Sequence, residues 1–564
     1  MAYDVCIVGS GASGGAVAYM LAKAGLKSVV LEKGPAMRRQ DFSKDEIACC
    51  RRDIYTPNLF EEFHTLEEFD GTQWNETPTH QSGRSFWNGS MLGGSSNLMS
   101  GFFHRMKPAD FRLRSKYGAI EGANVVDWPI SYEELEPWYE TVERLVGVSG
   151  SVFRGAYAEW RSTPDFPYPP TDEHPITKLF DSSCARLGYH PLRTPRAILP
   201  QTREGREGCY YSNYCGSYGC ASGAKGSARE ALLIPALATG NLTIRSGCHV
   251  KRLISDENGR VVAAEYVEGA FVHRIEAKLF VVAAQAIETS RLLLNSASKS
   301  HPDGLANGSG QVGKNLIFSA GGTGEGTFWR EHLKGISFEE LIQRGTFVNR
   351  ALQEWYEIEL PGRGRAKGGL IEFLFEHANP INRASRLKYD GNRLLWGSEL
   401  QERLQRYFRD SRTFRFEIFC DWLPTDDTCV TLDRKRRDKY GMPVAKVRLG
   451  PHPHDLEIAG ALAEKAERLL RVMGADEVSS SVSAAPPPNL LAGGCRFGAD
   501  PATSVLDRNC KAHDVPNLFV ADASFMPTGG SVPYTWTIYA NALRVGDYIA
   551  KNFKKLTQLP FVSS

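Results

Sequence analysis

The apolar positions change period twice between Tyr3 and Pro35, in "YDVCIVGSGASGGAVAYMLAKAGLKSVVLEKGP". Val5–Val8 form an unbroken apolar run, the pattern of a buried strand, and Ala12–Ala24 read as a helix rich in small residues. "VVLEKG" returns to a strand pattern. Farther along, "TFRFEIFCDWL" and "PVAKVRL" have the aromatic and β-branched content of strands. "HDLEIAGALAEKAERLLRVMG" is spaced as an amphipathic helix that ends at Gly474. These elements predict an α/β chain that opens with a βαβ unit.

The turn inside that unit carries Gly9-x-Gly11-x-x-Gly14, with Ser10, Ala12 and Ser13 between the glycines. The first glycine permits a tight turn, the second lets backbone approach a diphosphate, and the third lets helix and strand pack closely. The helix N-terminus then presents free N–H groups to the anion. Glu32, followed by Lys33, closes the second strand, where a carboxylate can accept hydrogen bonds from ribose hydroxyls. An acid at this position disfavours a 2′-phosphate, so FAD or NAD is expected rather than NADP. A second stretch, "RSFWNGSMLGGSSNLMSGFFHRMKPADF", offers the small residues Gly93, Gly94, Ser95 and Ser96 as a close-approach loop.

Composition narrows the partners. The chain has 564 residues, 42% hydrophobic and 23% charged, with a formal net charge of +2. That balance excludes a broad electrostatic footprint for nucleic acid or an anionic membrane. No apolar run reaches the roughly 18–20 residues of a membrane-spanning helix. The strand pattern begins by Tyr3, which leaves no room for a secretory signal, so folding is expected in the cytoplasm. Periplasmic residence would require export with a partner subunit. The twelve cysteines are mostly scattered, which is not the pattern of a secreted disulfide framework.

The C-terminal "GGCRFGADPATSVLDRNCKAHDVPNLFVADASFMPTGGSVPYTWTIYANALRVGDYIAKNF" is joined by "GGSSNLMSGFFHR", "FVVAAQAIETSRLLLNS", "GQVGKNLIF" and "VTLDRKRRDKYGMPVAKVRL". Together with Gly9–Gly14 they resemble the glucose-methanol-choline (GMC) family of FAD oxidoreductases, in family order and over nearly the whole chain. The look is nearest to bacterial sugar, polyol and gluconate dehydrogenase large subunits. The resemblance implies a Rossmann-type FAD-binding domain interleaved with a mixed-sheet substrate domain. Segments 1–110, 205–320 and 487–564 would build the first, and 111–204 and 321–486 the second. It further implies that Gly9, Gly11 and Gly14 meet the diphosphate and that Glu32 meets the adenosine ribose. Gly93 to Ser96, then Asn97, Leu98, Met99 and Ser100, would follow the flavin. Val250 would meet the adenine, and Asp522, Ala523, Pro533 and Thr535 would close over the diphosphate and the ring.

Two positions depart from the family pattern. The His of its "H-x-x-G-T/G-x-R-M-G" run falls on Leu490, and the Asn of its "N-P-T-L-T" run falls on Pro533. Neither side chain can accept the hydroxyl proton of an alcohol, which needs a base within about 3 Å. Asn489, one register from the His slot, and Tyr534, beside the Asn slot, are the candidate replacements; each also fits a plain structural role. His513 is the nearest histidine in sequence, in a stretch that family topology turns away from the flavin.

"CYYSNYCGSYGCAS" holds Cys209, Cys215 and Cys220 in Cys-x5-Cys-x4-Cys spacing. Some dehydrogenases of the resembled branch carry a three-cysteine iron–sulfur cluster here, with one residue fewer in the second gap. The thiols are thus either ligands of a [3Fe–4S] cluster or buried packing residues, with a disulfide as the third option. The expected activity is oxidation of an alcohol group of a sugar, glycoside or polyol, with hydride passing to flavin N5. Electrons would leave through the cluster or a docked cytochrome c, with a small subunit as a further partner. The alternatives are an oxygen-using oxidase of the same fold and a redox-neutral flavoprotein.

Overall fold

Every residue of the run Val5–Val8 is buried, and the strand Tyr3–Val8 lies inside a parallel sheet that covers it on both sides. In the computed structural model, residues 3–43, 45–46, 58–82, 84, 86, 89–203, 205–212, 214–342, 347–362, 364–376, 379–483 and 490–558 are described. The first sheet has seven strands in the order Leu242–Ser246, Ser28–Glu32, Tyr3–Val8, Phe271–Val282, Val261–Glu268, Cys248–Ser255, with Leu518–Val520 also paired to Phe271–Val282. The last two of that order are antiparallel additions, and the rest of the sheet is parallel. Helix Ala12–Lys23 covers one face and packs on the C-terminal helix Thr535–Gln558 at Gly546, where a Cβ would stand 2.8 Å from Met20 Cβ.

A second sheet of six strands is antiparallel, in the order Phe347–Leu352, Gly369–Phe375, Ser411–Asp421, Leu316–Trp329, Glu477–Val482, with Leu491–Gly493 also on Leu316–Trp329. Its strand Ser411–Asp421 separates two environments by simple alternation. Phe414, Phe416, Ile418 and Cys420 join the core under helix Pro453–Met473, together with Leu462 and Leu469. Phe419, in the opposite parity, belongs to the core of the first sheet. Gly474 ends the helix at φ +93°, the left-handed cap that glycine favours.

The four-stranded third sheet, Cys429–Arg437, Pro443–Leu449, Thr65–Phe69, Trp74–Pro78, brings an early hairpin against a late one. Segments distant in sequence therefore share a sheet, and the Thr65 hydroxyl donates to Asp433 Oδ2 at 2.7 Å across it.

A buried charge cluster joins the opening of the first connection to the helix Tyr132–Val142. Arg105 Nη2 lies 2.7 Å from Glu143 Oε1 and Nη1 2.9 Å from Glu136 Oε1, and Arg161 Nη2 lies 2.6 Å from Glu143 Oε2. The Arg105 side chain has 0% exposure, so its removal leaves carboxylates that water cannot resolvate. Arg105→Ala is expected to lower unfolding free energy by roughly 3–5 kcal/mol, read from urea or thermal denaturation of the holoprotein.

Candidate functional site

The parallel strands all end at one crevice, a cavity of about 420 Å³. Gly9, Glu32, Lys33, Ala283 and Asp522 follow the strand ends and line it, where open α/β sheets bind their ligands. The turns are held as extensions of the ladder. Gly9 N donates to Leu31 O at 2.9 Å, Ala283 N to Val8 O at 2.8 Å, and Ala521 N to Val282 O at 3.0 Å.

The floor of the crevice is the N-terminus of helix Ala12–Lys23, which has no side-chain cap. Its first N–H groups are left for a ligand, and an anion fits that end of the dipole. The glycines around it differ in what they make room for. A Cβ on Gly14 would stand 2.0 Å from Gly9 O, and one on Gly9, at φ +95°, would stand 2.4 Å from Ala283 O. A Cβ on Gly11 would meet no protein atom within 4 Å, so the space beside it belongs to the crevice. This uncapped helix and open backbone fit the diphosphate of FAD.

Glu32 braces the same loop. Its Oε2 accepts from Ser10 N at 3.0 Å and Ser10 Oγ at 2.5 Å, and its Oε1 accepts from Gly34 N at 2.8 Å. Burial pushes its pKa up against the pull of these donors. Lys33 is paired with Glu62 at 2.6 Å. Asp522 accepts from Ser524 N at 2.9 Å and Gln285 N at 3.1 Å, and burial likewise raises its pKa.

Among the other positions singled out in the sequence, Ser10, Ala12, Ser13, Gly94, Ser95, Ser96, Met99, Ser100, Val250, Ala523, Pro533 and Thr535 also line the crevice. Gly14, Gly93, Asn97 and Leu98 stand behind its wall. Gly93 N donates to Ser10 Oγ at 2.9 Å, Asn97 Nδ2 donates to Leu92 O and Gly94 O, and Leu98 packs with Phe42 and Met91. The Tyr534 hydroxyl turns away from the crevice and donates to Phe318 O at 2.8 Å. Burial holds that phenol far above its ordinary pKa, so it stays protonated. Asn489 lies outside the described residues. His513 Nε2 meets Ser504 Oγ at 3.0 Å and does not line the crevice. Leu490, in the slot where the family pattern has His, does line it, at φ +55°.

Sequence reading missed several lining residues. His249, Glu288, Arg291 and Met442 shape the nucleotide end, and Tyr440 stacks on His249 at 4.0 Å between ring centroids. Asp438, on the hairpin tip that carries Tyr440 and Met442, pairs with Arg291. At the other end, Phe102, Phe103, Glu417, Phe419 and Leu491 form an apolar chamber with one carboxylate. Only strand parity could have hinted at Glu417, because its facing direction depends on which side of the sheet the crevice lies.

Cys209, Cys215 and Cys220 share the wall of a separate cavity of about 50 Å³, room for a few waters. All three are free thiols. Among the described residues, no three His, Cys, Asp or Glu side chains are grouped to hold a metal ion. Burial pushes the Cys209 thiol up to about 11. Burial acts the same way on Cys220, but the Lys225 ammonium and the Ser222 hydroxyl outweigh it and hold that thiol below its ordinary value. The cysteine loop abuts the crevice. Ser217 lines the crevice and donates from its N–H to Leu98 O at 2.7 Å, and Arg196 Nη2 donates to Ser100 O at 2.5 Å.

Two pairs of substitutions test the nucleotide end. Gly11→Val should leave the stability of the protein without FAD within about 1 kcal/mol while abolishing FAD retention. Gly14→Val should destabilise the fold itself by roughly 1–3 kcal/mol or more, since its side chain meets backbone. Glu32→Ala should raise the FAD dissociation constant about 10–100-fold, the worth of charge-assisted hydrogen bonds, with Glu32→Gln falling between. Thermal melting and fluorescence titration with FAD distinguish these outcomes.

Comparison with known proteins gives the crevice its context. The N-terminal profile of the GMC oxidoreductase family matches residues 7–319 and the C-terminal one residues 424–542. The chain is 32% identical over 567 residues to 2-methyl-1,2-propanediol dehydrogenase of Mycolicibacterium austroafricanum, covering 98% of this chain and 96% of that one. It is 31% identical to paromamine 6'-oxidase of Streptomyces fradiae (97% and 91% covered). To the fructose dehydrogenase large subunit of Gluconobacter japonicus it is 26% identical (98% and 98%). Pyridoxine 4-oxidase from Mesorbium loti shares the fold, with a TM-score of 0.60 at 17% identity and 97% and 99% coverage. With both halves of the family pattern matched in order around a crevice that fits FAD, the chain belongs to the GMC oxidoreductases, flavin-dependent enzymes acting on CH–OH groups of alcohols and sugars.

Proposed function

We propose that the protein is an FAD-dependent dehydrogenase that oxidises an alcohol group of a sugar, glycoside or polyol and passes the electrons to a protein acceptor. When bound, FAD supplies the two-electron acceptor at N5. The chain binds its diphosphate over Gly9–Ser13 and its ribose at Glu32. The aromatic and aliphatic chamber of Phe102, Phe103, Phe419, Leu490 and Leu491 excludes water from the reacting carbon. The relative at 32% identity, named as a dehydrogenase of a small diol, supports this substrate class.

The observation that carries the choice of dehydrogenase is the contact between the cysteine loop and the flavin-lining segment, through Ser217 and Arg196. A one-electron outlet belongs beside the flavin. We place it at this loop, as a [3Fe–4S] cluster held by Cys209, Cys215 and Cys220 or as the face where a cytochrome c docks. The cavity would have to widen to admit a cluster. The fructose dehydrogenase relative is named as the large subunit of an assembly, which supports a partner-borne acceptor. An oxidase is the second reading, favoured by the paromamine 6'-oxidase relative.

Anaerobic mixing with 2-methyl-1,2-propanediol, fructose or paromamine should bleach the bound flavin with at least one of them. Turnover with an artificial one-electron acceptor should then exceed oxygen consumption on an oxygen electrode at least about tenfold. Rapid oxygen uptake with peroxide release overturns the dehydrogenase reading in favour of the oxidase. Iron and acid-labile sulfide on anaerobically purified protein decide the outlet. Roughly three irons per flavin make the cysteines ligands, and none makes them packing residues and removes the cluster from the reading.

A further inference from the structure

Oxidation of an alcohol needs a proton acceptor as well as a hydride acceptor. The O–H proton must go to a base within hydrogen-bond reach of the oxygen. Leu490 and Pro533 line the crevice where the family pattern has His and Asn, and neither side chain accepts a proton. The phenol of Tyr534 is committed to Phe318 O.

The strand Ser411–Asp421 supplies what these positions lack. Its even-numbered apolar residues Phe414, Phe416 and Ile418 enter the core beneath helix Pro453–Met473, so its odd-numbered residues face the other way. Phe419 and Glu417 accordingly line the crevice, as Leu490 and Pro533 do. Among the described residues, Glu417 is the only acidic side chain that the second sheet contributes to this lining.

Glu417 and its cross-strand neighbour Glu372 are directly opposed in the ladder, on the same face of the sheet. They are used differently. Glu372 is fully buried and saturated, with His104 Nε2 at 2.5 Å from Oε1 and the Thr194 hydroxyl donating to Oε2 at 2.8 Å. Among the described residues, the Glu417 carboxylate makes no hydrogen bond and no ion pair, and the residue lines the crevice. Its carboxylate is therefore free to accept a hydrogen bond from a group that enters the crevice.

We propose that Glu417 is the base that removes the substrate's hydroxyl proton. This rests on the reading of the protein as an alcohol-oxidising flavoenzyme. With FAD bound, the cofactor would take the carbinol C–H as hydride, and the O–H proton would pass to the Glu417 carboxylate. The products are a carbonyl compound, reduced flavin and a carboxylic acid that returns its proton to water. The charges around Glu417 are few. Arg415 lies on the same strand and is paired at 3.6 Å with Glu325 of the neighbouring strand. Glu372, itself paired with His104, lies on the other side. Burial, opposed by the Arg415 guanidinium and reinforced by Glu372, holds the Glu417 pKa above the usual carboxylate value, which makes it a stronger base. Because only the ionised form accepts a proton, flavin reduction should slow as pH falls through that raised pKa.

The test uses whichever of 2-methyl-1,2-propanediol, fructose and paromamine reduces the wild-type holoenzyme. Glu417→Gln should keep its FAD content and melting temperature and lose about 10²–10⁴-fold in the anaerobic rate of flavin reduction, together with the acid limb of the pH profile. Glu417→Asp should keep the limb and recover part of the rate. Independently of turnover, infrared difference spectra of the resting protein between acid and neutral pH should show a carboxylic acid band that is absent from Glu417→Gln. A Glu417→Gln rate within about threefold of wild type, or an unchanged acid limb, overturns the assignment and leaves the enzyme class standing. If Glu417→Gln does not load FAD, a Glu417→Asp rate equal to wild type overturns it instead, since a base withdrawn by about 1 Å should cost up to 10²-fold. Failure of every alcohol to bleach the wild type removes the class reading, and the assignment with it.

Discussion

The close approach of three backbone segments at Gly9, Gly14 and Ala283 is the constraint on which the rest of the site depends. Gly14 lets the first helix lean against the turn it leaves, and Gly9 lets that turn pass under the strand end at Ala283. Any side chain at either place would push the helix off the sheet. The helix N-terminus would then no longer point into the crevice, and the N–H groups left free there would be merely unsatisfied. Because the strands flanking the turn are buried on both faces, the sheet is rigid where the ligand needs it to be. Precision at the nucleotide end therefore comes from steric exclusion, and the polar residues, Glu32 foremost, lock what the packing has already set.

The other end of the crevice is built on a different principle. Its walls come from the second sheet and the segment 99–103, and are mostly aromatic or aliphatic. In such surroundings a charge is costly unless it is used. Two buried acids of the second sheet obey this rule, Glu372 taking His104 and Thr194 and Asp421 sitting 2.8 Å from Lys367 of a neighbouring hairpin, whereas Arg412, on the same strand as Glu417, is buried with no hydrogen-bond partner at Nε or Nη2 among the described residues. Glu417 departs from the rule too. The contrast between two opposed glutamates on one face of a sheet separates a structural carboxylate from one with capacity to spare.

The loss of the usual His and Asn has a local structural expression. Leu490 adopts a left-handed backbone conformation, uncommon for a residue with a side chain, and lines the crevice. Moving the proton acceptor from this loop to the facing sheet would preserve the chemistry with the base on a more rigid element. The cysteine loop is tied to the crevice-lining segment by Arg196 and by Lys225, which donates to Asn97 O at 3.1 Å and Tyr218 O at 2.8 Å.

The sequence by itself determined the nucleotide end, because its requirements are local. A buried strand, a turn with glycines at set positions, a small-residue helix and an acid at the end of the next strand are all legible within 33 residues, Tyr3 to Pro35. Helix Pro453–Met473 and its cap at Gly474 were legible for the same reason, since period and cap are near-neighbour properties. Tertiary structure alone decided the rest. Tyr534 and Pro533 are adjacent in sequence, yet only Pro533 faces the crevice, because the phenol found a carbonyl in another strand. Tyr440 and Met442 reach the nucleotide end only because the third sheet folds their hairpin over it. Glu417 was one polar position in an aromatic strand. Alternation assigns it a face, but which face meets the crevice and which meets the helix is set by long-range packing, and no local pattern of residues encodes it.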